Sequence, residues 1–252
     1  MTDRGTAMHK LRRLLRDLAV TLLLWLYFTL GFVVFFLPFY LGAFFLKSSP
    51  EGAFQRLNHY FYGGFFKLLR LLMPGLTIRI DPALRQLRGT VVVSNHHSYL
   101  DPLMFQSIFA KQTTIVKSTF FKVPIFGWLI KTAGYMPASA EGPFGELMLQ
   151  RMATLRDFFA SGGVMFVFPE GTRRPGRPIG VLHEGAFKIA RRCRVPLTVV
   201  RLRNTERIFT PGQFFFHTTD PVTIEIDLVH RVANAADLSV AELKRAALAA
   251  FS

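Results

Sequence analysis

Thr90-Val91-Val92-Val93-Ser94-Asn95-His96-His97-Ser98-Tyr99-Leu100-Asp101-Pro102 runs from an unbroken β-branched segment straight into two histidines and an aspartate. An apolar run without alternation is the pattern of a strand covered on both faces, which places it inside an α/β sheet. Pro102 disfavours helical dihedrals at Asp101 and suits the first position of a helix, so the expected order is strand, loop, helix. Ligands of open α/β sheets bind beyond the carboxyl ends of strands, where Asn95 to Asp101 fall. Five residues separate His96 from Asp101, too many for one helix face, so any bond between them closes across a loop. A carboxylate holding one imidazole nitrogen leaves the other free to take a proton. Asp101 is also a candidate helix N-cap, and a carboxylate has enough acceptor positions for both roles.

Outward from this segment, short β-rich runs alternate with helical patterns. Strands are expected at Thr77–Ile80, Thr90–Ser94, Thr113–Val116, Val164–Phe168, Leu197–Leu202 and Val222–Ile226. Helices are expected at Pro102–Ala110, Gly145–Ala160, Gly185–Arg192 and Val240–Ala250. Such alternation needs crossover connections, hence an α/β fold with a mostly parallel central sheet flanked by helices. Residues 51–252 read as one domain.

A second strand end carries polar residues that a packed sheet does not need: Phe168-Pro169-Glu170-Gly171-Thr172-Arg173-Arg174. Gly171 permits close backbone approach to a ligand, Thr172 offers a hydroxyl, and Arg173 is able to fork onto a phosphate. Seven Arg or Lys residues lie between Gly171 and Arg194 against one acid, Glu184. Taken alone, Pro-Glu-Gly-Thr is only a turn and the arginines only a solvated face. His183-Glu184 lacks a helical partner histidine, so no metal site and no resident cofactor are expected. Cys193, the single cysteine, rules out a disulfide scaffold.

The 252 residues are half hydrophobic yet carry a formal charge of +15, which together fit an anionic membrane surface better than a soluble nucleic-acid binder. No nucleic-acid partner is expected. The apolar surplus is concentrated in Leu18–Leu46, 29 residues without a charge, against roughly 20 for one spanning helix. That is too long for a signal-peptide core. Lys10, Arg12, Arg13 and Arg16 precede it; Lys47, Arg56, Lys67 and Arg70 follow it, so both flanks read as cytoplasmic. With Pro38 inside the run, the expectation is a pair of helices dipping into one leaflet, or a kinked re-entrant hairpin. Residues 1–50 then form a basic flank and membrane-embedded helical segment, with the active site on the cytoplasmic face of the cytoplasmic membrane. Ala53–Met73 is amphipathic and reads equally as an interfacial helix or a core helix.

Asn95-His96-x-Ser98-x-x-Asp101, followed about 70 residues later by Phe168-Pro169-Glu170-Gly171-Thr172-Arg173, resembles the glycerophospholipid acyltransferase family over approximately Thr90 to Val200. The resemblance implies transfer of a fatty acyl group from a thioester of CoA or acyl carrier protein to a lysophospholipid hydroxyl. The implied acceptor is 1-acylglycerol-3-phosphate, and the product phosphatidic acid. It implies His96 as general base, Asp101 as its orienter, and Glu170, Gly171, Thr172 and Arg173 as the acceptor-phosphate site. Asn95, Ser98 and Lys117 join them as expected substrate-binding residues. The family pattern Gly-x-x-x-x-x-Arg meets Gly134 to Ala140 here, with alanine where the arginine would stand. Lys117, Lys122, Lys131 and Arg174 are the cations available in its place, since no acid occurs from Pro102 to Ala140. The missing arginine keeps another lysolipid acceptor open, and a non-catalytic lipid-binding protein of the same fold is the rival from outside the enzymes.

Overall fold

The valines of the opening segment are fully buried and split between two cores: Val92 faces one side of a sheet, Val91 and Val93 the other. The computed structural model describes residues 2–139 and 142–251. In chain order they form α1 (Thr2–Leu26), a stretch of wide helical turns (Tyr27–Phe36), α2 (Leu37–Leu46) and α3 (Glu51–Leu72). Next come β1 (Leu76–Ile80), α4 (Pro82–Gln86), β2 (Thr90–Ser94), α5 (Leu100–Ile108), β3 (Gln112–Val116) and α6 (Phe126–Thr132). The rest is β4 (Met136–Pro137), α7 (Gly145–Ala160), β5 (Val164–Val167), α8 (Gly185–Cys193), β6 (Leu197–Arg203), β7 (Val222–Val232) and α9 (Val240–Phe251).

The strands form one sheet in the order β1-β7-β6-β2-β5-β3-β4. Every neighbouring pair is parallel except β6–β7, which no helix joins. β7 continues six residues beyond the expected Ile226. Its polar positions Asp227, His230 and Arg231 break the apolar pattern, yet they pair in register with Arg201, Val199 and Thr198 of β6.

The crossover through α5 lies on one face, where Leu100, Met104 and Phe105 pack with Val92 and Phe166. The crossover through α8 lies on the other, where Phe187 and Ala190 pack with Val91 and Met165. The chain therefore leaves β2 and β5, which are hydrogen-bonded neighbours, in opposite directions. Their carboxyl ends are a topological switch point, the place where an open sheet leaves a crevice for a ligand.

The apolar run does not fold as a pair of helices. Ala7–Leu46 is one continuous helix, about 60 Å long at 1.5 Å per residue. Pro38 is accommodated because the turns before it are wide, closed by bonds such as Leu37 N–H to Phe32 O, and because it sits in the first turn of α2, where no N–H is needed. The reversal comes later, at Lys47–Pro50, and the hairpin partner is α3. One stripe of the long helix is fixed to the domain. Asp17 accepts from Thr218 N–H and Oγ1 at 2.8 Å, and Thr21 Oγ1 accepts from Phe216 N–H at 2.9 Å. Val20 and Leu24 enter the first core; Tyr27 and Phe28 stack on Phe61 and Phe65. Tyr40 donates to Asn58 at 2.6 Å. The opposite stripe, from Leu22 through Leu30, Val34, Phe35 and Phe39 to Phe45, is exposed. α3 itself takes the core option: Phe54, Phe61, Phe65 and Leu69 are buried, wedged between the long helix and α5.

Candidate active site

β2 ends at Ser94, and the next four residues turn back so that their donors converge on one carboxylate. Asp101 Oδ2 accepts from His97 N–H at 2.6 Å and Ser98 N–H at 2.8 Å, and lies 2.8 Å from His96 Nδ1. Its Oδ1 accepts from the Thr205 hydroxyl at 2.5 Å. Asp101 is fully buried, so these four bonds replace the water that an ionised carboxylate loses. The N-cap expectation fails: Tyr99 occupies that position, and Asp101 folds back over the preceding loop instead of capping α5 forward. With Nδ1–H given to Asp101, the imidazole keeps Nε2 as its acceptor. The ring stacks at 4.2 Å on Phe168, the residue after β5, and its side chain keeps 12% exposure.

Thr205 was not foreseen. It follows β6, the third parallel strand to end in a polar turn, Asn204-Thr205-Glu206. Removing its hydroxyl in Thr205→Val leaves Oδ1 without a partner. The expected effect is about a tenfold loss of turnover, with thermal stability lowered by about 1–2 kcal/mol. Thr205→Ser restores both. Equal turnover in wild type and Thr205→Val removes Thr205 from the site.

His97 points away from its neighbour, with Nδ1 3.5 Å from Glu206 Oε2. The Glu206 carboxylate raises its pKa above the usual value near 6.5, against the opposing effect of partial burial. Because the folded value is raised, the stabilisation is present in full below the unfolded pKa and is lost as pH rises through the folded one. Unfolding measured from pH 6 to 9 should show this decline, and Glu206→Gln should flatten it. An unchanged profile in that variant would remove Glu206 as the cause.

Three residues expected at the ligand are turned inward. The Asn95 side chain exchanges two bonds with Leu202, Nδ2–H to its carbonyl at 2.7 Å and Oδ1 from its N–H at 2.8 Å, and so ties β2 to β6. Ser98, fully buried, donates to Phe209 O at 2.6 Å. Glu170 is buried and accepts from His96 N–H and Gly180 N–H, each at 3.1 Å. It straps together the loops that follow β2 and β5, and an anion already fully committed there is a poor phosphate ligand. Arg174 N–H reinforces the strap by donating to His96 O at 2.8 Å.

The other four are not buried. The Arg173 guanidinium lies 3.7 Å above the Tyr99 ring, so a cation from the β5 loop is held over the β2 loop. Thr172 is exposed. Gly171 adopts φ +66°, and a Cβ there would stand 3.2 Å from the His183 ring, so glycine is what lets this turn close. Lys117 is exposed just after β3, at the same edge of the sheet but beyond β5. Ala140, where the family arginine would stand, lies outside the described residues.

The Acyltransferase family model matches residues 75–203, from the start of the sheet through β6. The chloroplastic 1-acyl-sn-glycerol-3-phosphate acyltransferase BAT2 of Brassica napus is 33% identical over 123 residues, 48% of this chain and 35% of that protein. The 1-acyl-sn-glycerol-3-phosphate acyltransferase of Saccharomyces cerevisiae is 25% identical over 160 residues, 61% of this chain and 51% of that one. These matches span between a third and about half of the relatives' lengths. The crystal structure of the 1-acyl-sn-glycerophosphate acyltransferase PlsC from Thermotoga maritima superimposes with a TM-score of 0.69 over 93% of both chains, at 22% identity, a likeness of fold. The matched span covers half of the chain and holds both loops that meet at His96, and on that footing the chain belongs to the Acyltransferase family.

Proposed function

We propose that the protein moves a fatty acyl group from an acyl thioester, of CoA or acyl carrier protein, to the free hydroxyl of 1-acylglycerol-3-phosphate, giving phosphatidic acid. The observation that carries this reading is the setting of His96, whose Nδ1 is held by a buried carboxylate while the imidazole keeps 12% exposure and Nε2 as its acceptor. The acceptor hydroxyl oxygen attacks the thioester carbonyl carbon as its proton passes to Nε2. The tetrahedral intermediate then collapses with cleavage of the C–S bond, and the imidazolium returns the proton to the departing thiolate. A thioester is already activated, so alignment and proton transfer suffice without a covalent enzyme intermediate. Arg173 supplies the planar fork for the acceptor phosphate. The names of the plant and yeast relatives support that choice of acceptor.

The long helix supports attachment to one leaflet. Its fixed stripe recurs from Asp17 to Tyr40, so it offers no stretch of roughly 20 residues free of the domain to cross a bilayer. It lies in one leaflet with its apolar stripe toward the acyl chains. Basic flanks on both sides support the cytoplasmic face. The test is thiol release from acyl-CoA in vesicles containing a panel of lysolipids. Release stimulated by 1-acylglycerol-3-phosphate is the expected result. Stimulation by another lysolipid alone reassigns the acceptor, and none by any lysolipid leaves a lipid-binding protein of the same fold.

A further inference from the structure

The segment after β3 is an outlier in both backbone and surface. Phe126 N–H donates to Pro124 O at 2.6 Å across Ile125, whose φ of +63° and ψ of −57° are those of a γ-turn of the rare, strained hand. A β-branched residue is the least suited to positive φ. The turn is closed on its inner side by Gly127, where any Cβ would collide with the Phe121 carbonyl oxygen. On its outer side it presents apolar side chains to solvent: Phe120 is 40% exposed, Val123 43% and Ile125 59%. Lys117, Lys122 and Lys131, all exposed, surround them.

The patch is continuous with the anchor. Trp128, one turn into α6, packs edge-to-face on Phe44 of α2 at 5.5 Å, and the exposed Phe45 and Leu46 adjoin it in sequence. It also stands at the edge of the sheet that carries His96, because β3 and β2 both run parallel to β5. Apolar residues ringed by lysines, contiguous with a lipid-facing helix, match an anionic bilayer surface.

We propose that the 118–126 turn is a second membrane contact, inserting Val123 and Ile125 among the acyl chains of the same leaflet. Two contacts on one face fix the tilt of the domain, which one helical hairpin leaves free. The tilt brings the carboxyl edge of β2, and His96 with it, down onto the interface where a lysolipid hydroxyl lies. The inference rests on the hairpin being membrane-embedded, and its test separates the two.

In a Cys193→Ala background, Val123→Cys, Phe39→Cys and Ala249→Cys are each labelled with a fluorophore. Each full-length variant is bound to vesicles of phosphatidylethanolamine and phosphatidylglycerol carrying acyl-chain nitroxides. Ala249 is exposed on α9, on the far side of the sheet from the long helix. The expected result is severalfold quenching at 123 and 39 and none at 249, at a depth of roughly 5–10 Å. Quenching at 39 alone overturns the second contact and leaves the hairpin in the membrane. Quenching at neither overturns both, and equal quenching at all three overturns the contact as specific. Phe120→Cys is a second reporter on the turn, so misfolding of one labelled variant leaves the result readable.

Discussion

His96→Ala is expected to lower thioester turnover by roughly 10²–10⁴-fold, the range lost with a positioned general base. Binding of the protein to vesicles should not change. The two effects are separate in space: His96 follows β2, whereas the proposed lipid attachment would run along the exposed stripe of the long helix. The side chain leaves little behind structurally. Its backbone N–H and carbonyl carry the bonds to Glu170 and Arg174, and both survive truncation to alanine. The stack on Phe168 and the Nδ1 bond to Asp101 are lost, and Asp101 keeps its donors from His97, Ser98 and Thr205. Thermal unfolding close to wild type alongside lost turnover identifies a chemical role. Unaltered turnover ends the base assignment.

Asp101→Asn should cost about 10²–10³-fold in turnover with a smaller stability loss of about 1–3 kcal/mol. Three donors aim at Oδ2 and one hydroxyl at Oδ1, so the introduced amide has one good orientation. Its oxygen takes the Oδ2 place, and its NH₂ faces a Thr205 hydroxyl able to rotate and accept. The loop is then kept, but the charge that stabilises an imidazolium is gone. Asp101→Ala is different in kind, because it strands two buried backbone N–H groups as well as the imidazole and should unfold the loop. Turnover assays paired with unfolding midpoints distinguish the two variants. Wild-type turnover in Asp101→Asn would show that the carboxylate has no part in the reaction. Since Asp101 and Thr205 share a bond, their combined loss should be less than the sum of the separate ones.

The sequence made the sheet readable wherever strands are buried on both faces, because Thr90–Ser94 and Val164–Val167 announce themselves by continuous β-branched and aromatic runs. β4 has two residues, α4 five and α6 seven, too few for any periodicity to register. The His96–Asp101 pair was legible for a chemical reason: no packed sheet needs that combination at a strand end. Asn95, Ser98 and Glu170 carried the same signal, yet their side chains turn inward. A polar residue at a strand end needs a partner, and the partners proved to be backbone groups of Leu202, Phe209 and His96, which are remote in sequence. Thr205 was missed for the reverse reason, since one threonine after a strand has no distinguishing mark until the fold brings it to Asp101.

The bonds from Asp17 and Thr21 to Thr218 and Phe216 join residues 201 and 195 positions apart. The long helix is therefore made well before the residues that give it its final contacts. At about 5–20 residues per second, synthesis of the intervening chain takes on the order of 10–40 s. Throughout that interval Asp17 and Thr21 lack these partners, and Phe209 and Phe216, which complete the core that Val20 and Leu24 enter, are not yet made. Completion of the fold is the docking of Phe216 and Thr218 onto one side of a helix already made, so a chain interrupted before Phe216 leaves that side without both of its hydrogen-bonding partners.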